Sequence, residues 1–164
     1  MEETYYPLFS EILERVHKAK TKDKKIDILR QYKTDALKMF LKAGFDPNIQ
    51  WVFPDGAVPY TPNDAPAGTD HTLLIQETKK LWRFIKGADN ITKQAQKENM
   101  FFQMLEGLHE SEAKLLVNAK DKKLHQIYKG LSANVVREAF GWNEDFKVDE
   151  YPQSGRSASG LVDG

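Results

Sequence analysis

The sequence contains no cysteine. This absence excludes a disulfide-stapled scaffold, a zinc site built from thiolates and a cysteine nucleophile. The chain also has no net charge, because 24 basic residues balance 24 acidic ones. Zero net charge argues against a protein that coats nucleic acid non-specifically, although a local basic patch remains compatible with it.

Long hydrophobic runs are missing as well. No apolar stretch approaches the roughly 20 residues that a membrane-spanning helix needs. The start of the chain, Met-Glu-Glu-Thr-Tyr-Tyr-Pro, is acidic and has no apolar segment of the kind found in secretory signals. We therefore expect a cytoplasmic protein with no membrane association.

The familiar catalytic motifs are also lacking. The chain has no Gly-x-Ser-x-Gly motif and no glycine-rich phosphate-binding loop. The segment His109-Glu110-Ser111-Glu112 lacks the second histidine of the His-Glu-x-x-His zinc motif. We therefore predict no catalytic residues, no metal site and no cofactor. A metal-dependent hydrolase centred on His109, Glu110 and Glu112 ranks last among the alternatives.

What the chain does contain is a series of short amphipathic segments. An apolar residue recurs at every fourth position near the start of the chain, and a longer apolar stripe occupies residues 73–85. This spacing is typical of helices that bury one face. Gly44 is placed to end one helix in the left-handed conformation, and Gly141 is placed to stop another. We predict a single amphipathic helix between about residue 70 and Gly87.

These segments predict an all-α fold: a compact bundle of about seven to eight short helices. The length of 164 residues suits one domain. We place this domain at residues 1–150. Residues 151–164 are small and polar, and we predict that they form a disordered tail.

Five prolines interrupt the helical pattern at residues 45–69. The same segment carries aromatic side chains, which flexible linkers rarely contain, so we expect a long ordered loop that packs on the helices. Trp51, Phe53, Pro54 and Tyr60 are the expected partner-binding residues, since Trp and Tyr dominate interface hot spots. The equally supported alternative is that these rings only close the core.

A weak internal repeat relates residues 19–45 to residues 119–142. Each stretch has a basic start, a short helix, a helix that a hydroxyl residue (Thr34 or Ser132) is suited to cap, and a glycine followed by an aromatic residue. A duplicated helical hairpin would bury one apolar face against its twin. Coincidence between two charged helical stretches explains the pattern equally well.

Basic runs lie at equivalent places in the two stretches, and two such edges would be able to track a phosphate backbone. The candidate nucleic-acid-binding residues are Lys24, Lys25, Lys122, Lys123 and Lys129. Aspartates are interleaved with these lysines. They favour the simpler interpretation that both runs are solvated helix ends.

Several segments resemble an uncharacterised family of small proteins from T-even-like contractile-tailed phages, notably cyanophages. The segments that carry this resemblance are 44–50 (beginning Gly44-Phe45-Asp46-Pro47), 54–60, 64–69, 105–109 and 128–136. The resemblance extends over about residues 10–146. It implies a phage-encoded protein acting in the cytoplasm of the bacterial host, and it carries over no catalytic residue.

Two functional hypotheses follow. The leading one is a non-enzymatic phage accessory protein that binds a phage or host protein during infection. The alternative is a nucleic-acid-binding accessory protein of phage replication or recombination. The residues favour no particular oligomeric state.

Overall fold

A computed structural model describes residues 6–63 and 71–148 of the chain. Over these ranges the chain forms eight α-helices and a 3₁₀ helix but no β-strand, so the predicted all-α fold is confirmed. The helices are α1 Phe9–Lys18, α2 Lys22–Gln31, α3 Asp35–Phe45, α4 Leu74–Glu77, α5 Gln94–Gly107, α6 Glu110–Lys120, α7 Leu124–Ile127 and α8 Ala133–Phe140, with the 3₁₀ helix at Thr78–Phe84. The predicted tail at residues 151–164 lies outside the described residues.

Hydroxyl side chains begin three of the helices. The Oγ atoms of Thr21, Thr34 and Ser132 accept hydrogen bonds from the backbone N–H three residues further on, at 3.2, 3.0 and 3.2 Å. Each bond satisfies a backbone donor that has no partner inside its helix. The starts of α2, α3 and α8 are therefore fixed by local sequence.

The core forms where α3 and α6 pack against each other and α1 packs against α2 and α6. Its central side chains, among them Phe9, Phe40 and Leu116, are fully buried. A second part of the core contains Phe84 and Phe101, which the segment after α3 covers through Phe53. Among the helices described, none combines the length and the apolar character that crossing a bilayer requires.

The prediction of one continuous helix ending at Gly87 is wrong. The chain changes from α4 to the 3₁₀ helix at Thr78 and becomes extended at Ile85. There it hydrogen-bonds to the segment after α3: Val52 N donates to Phe84 O at 2.9 Å, and Lys86 N donates to Gln50 O at 2.7 Å. These tertiary bonds replace the bonds that a continuing helix would make.

Gly44 has a different role from the one predicted. It lies inside α3 rather than beyond its end, so it is not a left-handed stop. A Cβ at this position would lie 2.8 Å from Leu124 Cδ1 and 3.3 Å from Ala119 Cβ. Glycine is therefore needed for the close approach of α3 to α6 and α7. Gly141, by contrast, ends α8 as predicted, and it does so at φ 70°.

Candidate functional site

Residues 52–61, which lie between α3 and α4, follow α5 along much of the length of that helix. At one end, Gln94 Nε2 donates to Val52 O at 2.9 Å. At the other, Thr61 N donates to Glu106 Oε2 at 3.0 Å. The two side chains are separated by about 18 Å along the helix axis, given a rise of 1.5 Å per residue. We call residues 52–61 the α5 loop.

A buried ion pair holds the middle of the α5 loop. Lys120 Nζ donates to Pro54 O at 2.7 Å, to Gly56 O at 3.3 Å and to Asp121 Oδ1 at 2.5 Å. Gly56 N donates to both carboxylate oxygens of Asp121 at 3.2 Å. The side chains of Lys120 and Asp121 are only 0% and 7% exposed. We call this arrangement the Lys120 clamp, and it fixes one loop conformation because charged hydrogen bonds in a buried site are strong.

An apolar pocket of about 220 Å³ lies between the α5 loop and α5. Phe53 forms part of its wall and stacks on Phe101 of α5, with ring centroids 4.6 Å apart. Two of the nine lining residues are charged, and both are acidic. The lining residues are Phe53, Pro54, Asp55, Ala57, Val58, Pro59, Glu98, Phe101 and Phe102. We call this the loop pocket.

The structure separates the four predicted partner-binding residues. Phe53 and Pro54 line the loop pocket, whereas Tyr60 is half-buried beside it, where burial and the charge of Glu110 raise its pKa. Trp51 is 8% exposed, and its indole N–H donates to Ala43 O at 3.0 Å. Because the Trp51 ring is in the core, we remove it from the candidate partner-binding residues.

Sequence reasoning missed the α5 side of the pocket. Gln94, Glu98, Phe102 and Glu106 recur every four residues and form one stripe along α5. Two of them bind the backbone of the α5 loop and the other two line the pocket. The spacing is visible in the sequence, but it combines polar and apolar residues, so a search for an apolar face passes over it.

A protein-family model described as a family of unknown function (DUF6433) matches residues 12–126, which is more than half of the chain. The chain belongs to the DUF6433 family. The DUF6433 segment contains α5, the α5 loop and the Lys120 clamp, so every residue of the loop pocket lies within it. Comparison with curated proteins and with solved structures gives no match.

In the second lysine run, one side chain bonds to the backbone of the fold and two are exposed. Lys122, within the DUF6433 segment, donates from Nζ to Ala43 O at 2.6 Å and to Asp46 O at 2.8 Å, and so caps the C-terminal end of α3. Burial lowers its pKa to about 8, against the opposing effect of Asp46. Lys123 and Lys129 are exposed. Lys129 lies beyond the DUF6433 segment.

In the first lysine run, Lys24 is exposed and Lys25 is not. Lys25 Nζ donates to Ala19 O, and its Cε occupies the space that a Cβ on Gly130 would need. This contact places Lys25 beside Gly130, which follows Lys129 in the sequence. The structure therefore brings one end of each lysine run together and commits the amines of Lys25 and Lys122 to backbone carbonyls.

The residues of the alternative hydrolase site occupy helix ends. Glu112 is buried and accepts hydrogen bonds from Phe9 N at 3.0 Å and Leu74 N at 2.9 Å, yet burial raises its pKa. His109 caps α6 through Nδ1, and exposed Glu110 pairs with a lysine one turn further on. In the part of the chain that the structure describes, no three His, Asp or Glu side chains converge as metal ligands.

Proposed function

We propose that this protein is a non-enzymatic interaction protein that binds a protein partner at the loop pocket. The Lys120 clamp is the observation that carries this proposal. It fixes the backbone of residues 54–56 before any partner arrives. A surface that is already ordered loses less conformational entropy on binding, so more of the contact energy contributes to affinity.

The exposure of the α5 loop supports binding over the alternative that its rings only close the core. Three side chains of the loop, Phe53, Val58 and Tyr60, pack against the core. Pro54, Ala57 and Pro59, by contrast, remain exposed. The Lys120 clamp therefore orders a stretch of backbone whose apolar side chains face outward, which is the property expected of a recognition surface.

We further propose that the protein is a phage-encoded accessory factor that acts in the host cytoplasm and binds a phage or host protein during infection. The resemblance to proteins of T-even-like phages supports this setting. One of the segments that carry the resemblance, residues 54–60, forms much of the pocket wall. The partner-binding site and the resemblance thus involve the same residues.

Affinity capture from infected cells, followed by mass spectrometry, tests this proposal. Phe102→Ala removes a half-buried wall of the pocket, and Ala57→Arg places a bulky charge at its mouth. Trp82→Ala is the matched control, because Trp82 is 42% exposed and does not line the pocket. We expect mass spectrometry to identify a protein that is captured by wild type and by Trp82→Ala but by neither pocket variant.

Far-ultraviolet circular dichroism and urea unfolding establish that each variant is folded. If folded Phe102→Ala and Ala57→Arg variants retain the same partners as wild type, the pocket is not the binding site and the proposal fails. Half of each lysate is treated with nuclease, so that contacts made through nucleic acid are recognised by their loss.

The alternative function, nucleic-acid binding in phage replication or recombination, is supported by one contact. Lys25 packs on Gly130 and so brings Lys24 and Lys129 towards one surface. This alternative expects binding that falls steeply with salt and weakens when Lys24 and Lys129 are changed to Gln. A gel shift without DNA or RNA binding at low salt would exclude it.

We also infer that residues 19–45 and 119–142 are a duplicated hairpin. If α2 corresponds to α7 and α3 to α8, the packing of α2 on α8 is equivalent to the contact of α3 with α7 at Gly44. Both contacts occur, which supports the inference. A profile comparison of the two halves across DUF6433 sequences tests it, and similarity no greater than that between unrelated hairpins would reject it.

A further inference from the structure

We propose that the loop pocket selects a partner segment in which an arginine or lysine lies next to an apolar side chain. The inference rests on the proposed function and names the chemistry of the partner. It is drawn from the charges around the pocket, from its apolar lining and from its size.

The charges face each other across the pocket. Asp55 belongs to the α5 loop and Glu98 to α5, and both are exposed and line the cavity. Neither carboxylate forms a salt bridge within the described residues, and the neutral amide of Gln94 donates from Nε2 to Glu98 Oε2 at 3.3 Å. Lys120 Nζ is held by Asp121 and two loop carbonyls, and Lys97 Nζ donates to Asp89 O at 2.6 Å. A cationic side chain in the pocket would therefore meet two uncompensated carboxylates.

The apolar lining suits the remainder of the same side chain. Phe53, Phe101 and Phe102 present aromatic surface beside the two carboxylates. Arginine and lysine carry apolar stems that pack on such surface while the charged end stays near water. A guanidinium or ammonium group also binds favourably over an aromatic ring.

The size of the pocket limits how much of the partner it holds. Its lining residues on α5 are Glu98, Phe101 and Phe102, which span about 6 Å along the helix axis at a rise of 1.5 Å per residue. The pocket volume is about 220 Å³. The pocket therefore suits a pair of neighbouring side chains of a partner segment.

Side chains decide which partner segments the pocket prefers. Gly56 N donates to Asp121, Tyr60 N to Val58 O and Thr61 N to Glu106. The prolines in the loop have no N–H to donate. Any backbone hydrogen bond to a partner is open to every sequence, so charge together with apolar contact decides which segments bind.

A second exposed apolar surface gives a natural comparison. It is formed by residues that include Met39, Ile49 and Trp82, and its charged lining residue is Lys42. The guanidinium of Arg83 lies 4.7 Å from the centroid of the Trp82 ring. This surface is basic where the loop pocket is acidic, so it should not favour cationic segments.

Selection from a displayed library of random 12-residue peptides tests the inference. The immobilised proteins are wild type, Asp55→Lys/Glu98→Lys and Trp82→Ala. We expect wild type and Trp82→Ala to enrich peptides rich in arginine or lysine beside apolar residues. The charge-reversal variant should bind those peptides about tenfold or more weakly and enrich acidic peptides instead.

Measuring the affinity of the enriched peptides for Phe102→Ala and Ala57→Arg distinguishes the charge inference from the location of the binding site. If these variants lose the peptides but charge reversal changes neither affinity nor the enriched charge, the pocket binds a partner and the charge inference is refuted. If no peptide is enriched, or the pocket variants bind the peptides as well as wild type, the loop pocket is not a peptide site and the charge inference is overturned. The proposed function is then decided separately by the affinity capture with the same pocket variants.

Discussion

Lys120→Met tests whether the buried ion pair holds the α5 loop. Methionine retains most of the apolar stem of lysine, so the change removes the ammonium group without opening a large cavity. Three acceptors lose their donor: Pro54 O, Gly56 O and Asp121 Oδ1. The substituted side chain itself lines neither the pocket nor the surface.

The expected loss follows from the burial of the remaining charge. Breaking a buried ion pair costs about 3–5 kcal/mol, because one charge is left without its partner in a medium of low polarity. The carboxylate of Asp121 keeps the Gly56 N–H and is 7% exposed, so it is partly solvated. We therefore expect the lower end, a decrease of about 3 kcal/mol in the free energy of unfolding.

Urea unfolding of wild type, Lys120→Met, Asp121→Asn and the double variant measures this. The double variant leaves no buried charge without a partner. We therefore expect its loss of stability to be smaller, by about 1–3 kcal/mol, than the sum of the losses of the two single variants. We also expect Lys120→Met to weaken binding at the loop pocket without touching a partner, since the freed loop must be ordered on binding.

A loss below about 1 kcal/mol for Lys120→Met, or strictly additive single changes, would refute the clamp as a source of order. Proteolysis under native conditions is the independent readout. Loosening of residues 54–56 should expose the α5 loop to cleavage in Lys120→Met, whereas exposed Lys123→Met serves as the control and should leave the cleavage rate unchanged.

Three further predictions concern stability and are measured by urea unfolding. Glu112→Gln should lower the free energy of unfolding by about 1–3 kcal/mol, because one amide oxygen cannot accept from both buried N–H groups. Burial raises the native pKa of Glu112, so the stability of wild type falls as the pH rises through that pKa. The loss caused by Glu112→Gln should therefore be smaller at pH 7 than at pH 4, and a larger loss at pH 7 would contradict the argument. Gly44→Ala should destabilise by about 1 kcal/mol, as crowding against Leu124 exceeds the gain in helix propensity, and a stabilised variant would refute the close approach. Burial lowers the native pKa of Lys122 to about 8 from 10.5, so the unfolded chain binds more protons than the native chain between these pH values. The free energy of unfolding of wild type should therefore rise by about 1 kcal/mol from pH 8 to pH 10, a figure reduced because the amine is half-exposed. Lys122→Met should lack this rise.

Local sequence predicted the helices where each one depends on its own residues. Thr34 and Ser132 accept the capping hydrogen bonds expected of them, and Gly141 ends α8 as expected. Prediction failed where a distant segment intervenes. The continuous helix before Gly87 is interrupted because Phe84 O and Lys86 N bond to the segment after α3, and no local pattern records that pairing.

The candidate site was predicted only in part, for the same reason. The aromatic and proline content of the α5 loop indicated an ordered segment, and Phe53 and Pro54 do line a pocket. The residue that holds the loop, Lys120, looks like an ordinary solvated lysine in the sequence. Its role depends on carbonyl groups 64 and 66 residues away, whose positions only the fold defines.

The fate of the lysine side chains also decides how the charge of the protein is distributed. The chain is neutral in total, yet the ammonium group of Lys120 is buried and paired with Asp121, so it adds no charge to the surface near the α5 loop. Asp55 and Glu98 remain exposed there. The neutral composition therefore conceals an acidic pocket, and binding of a cationic segment to it should weaken as salt screens the two carboxylates.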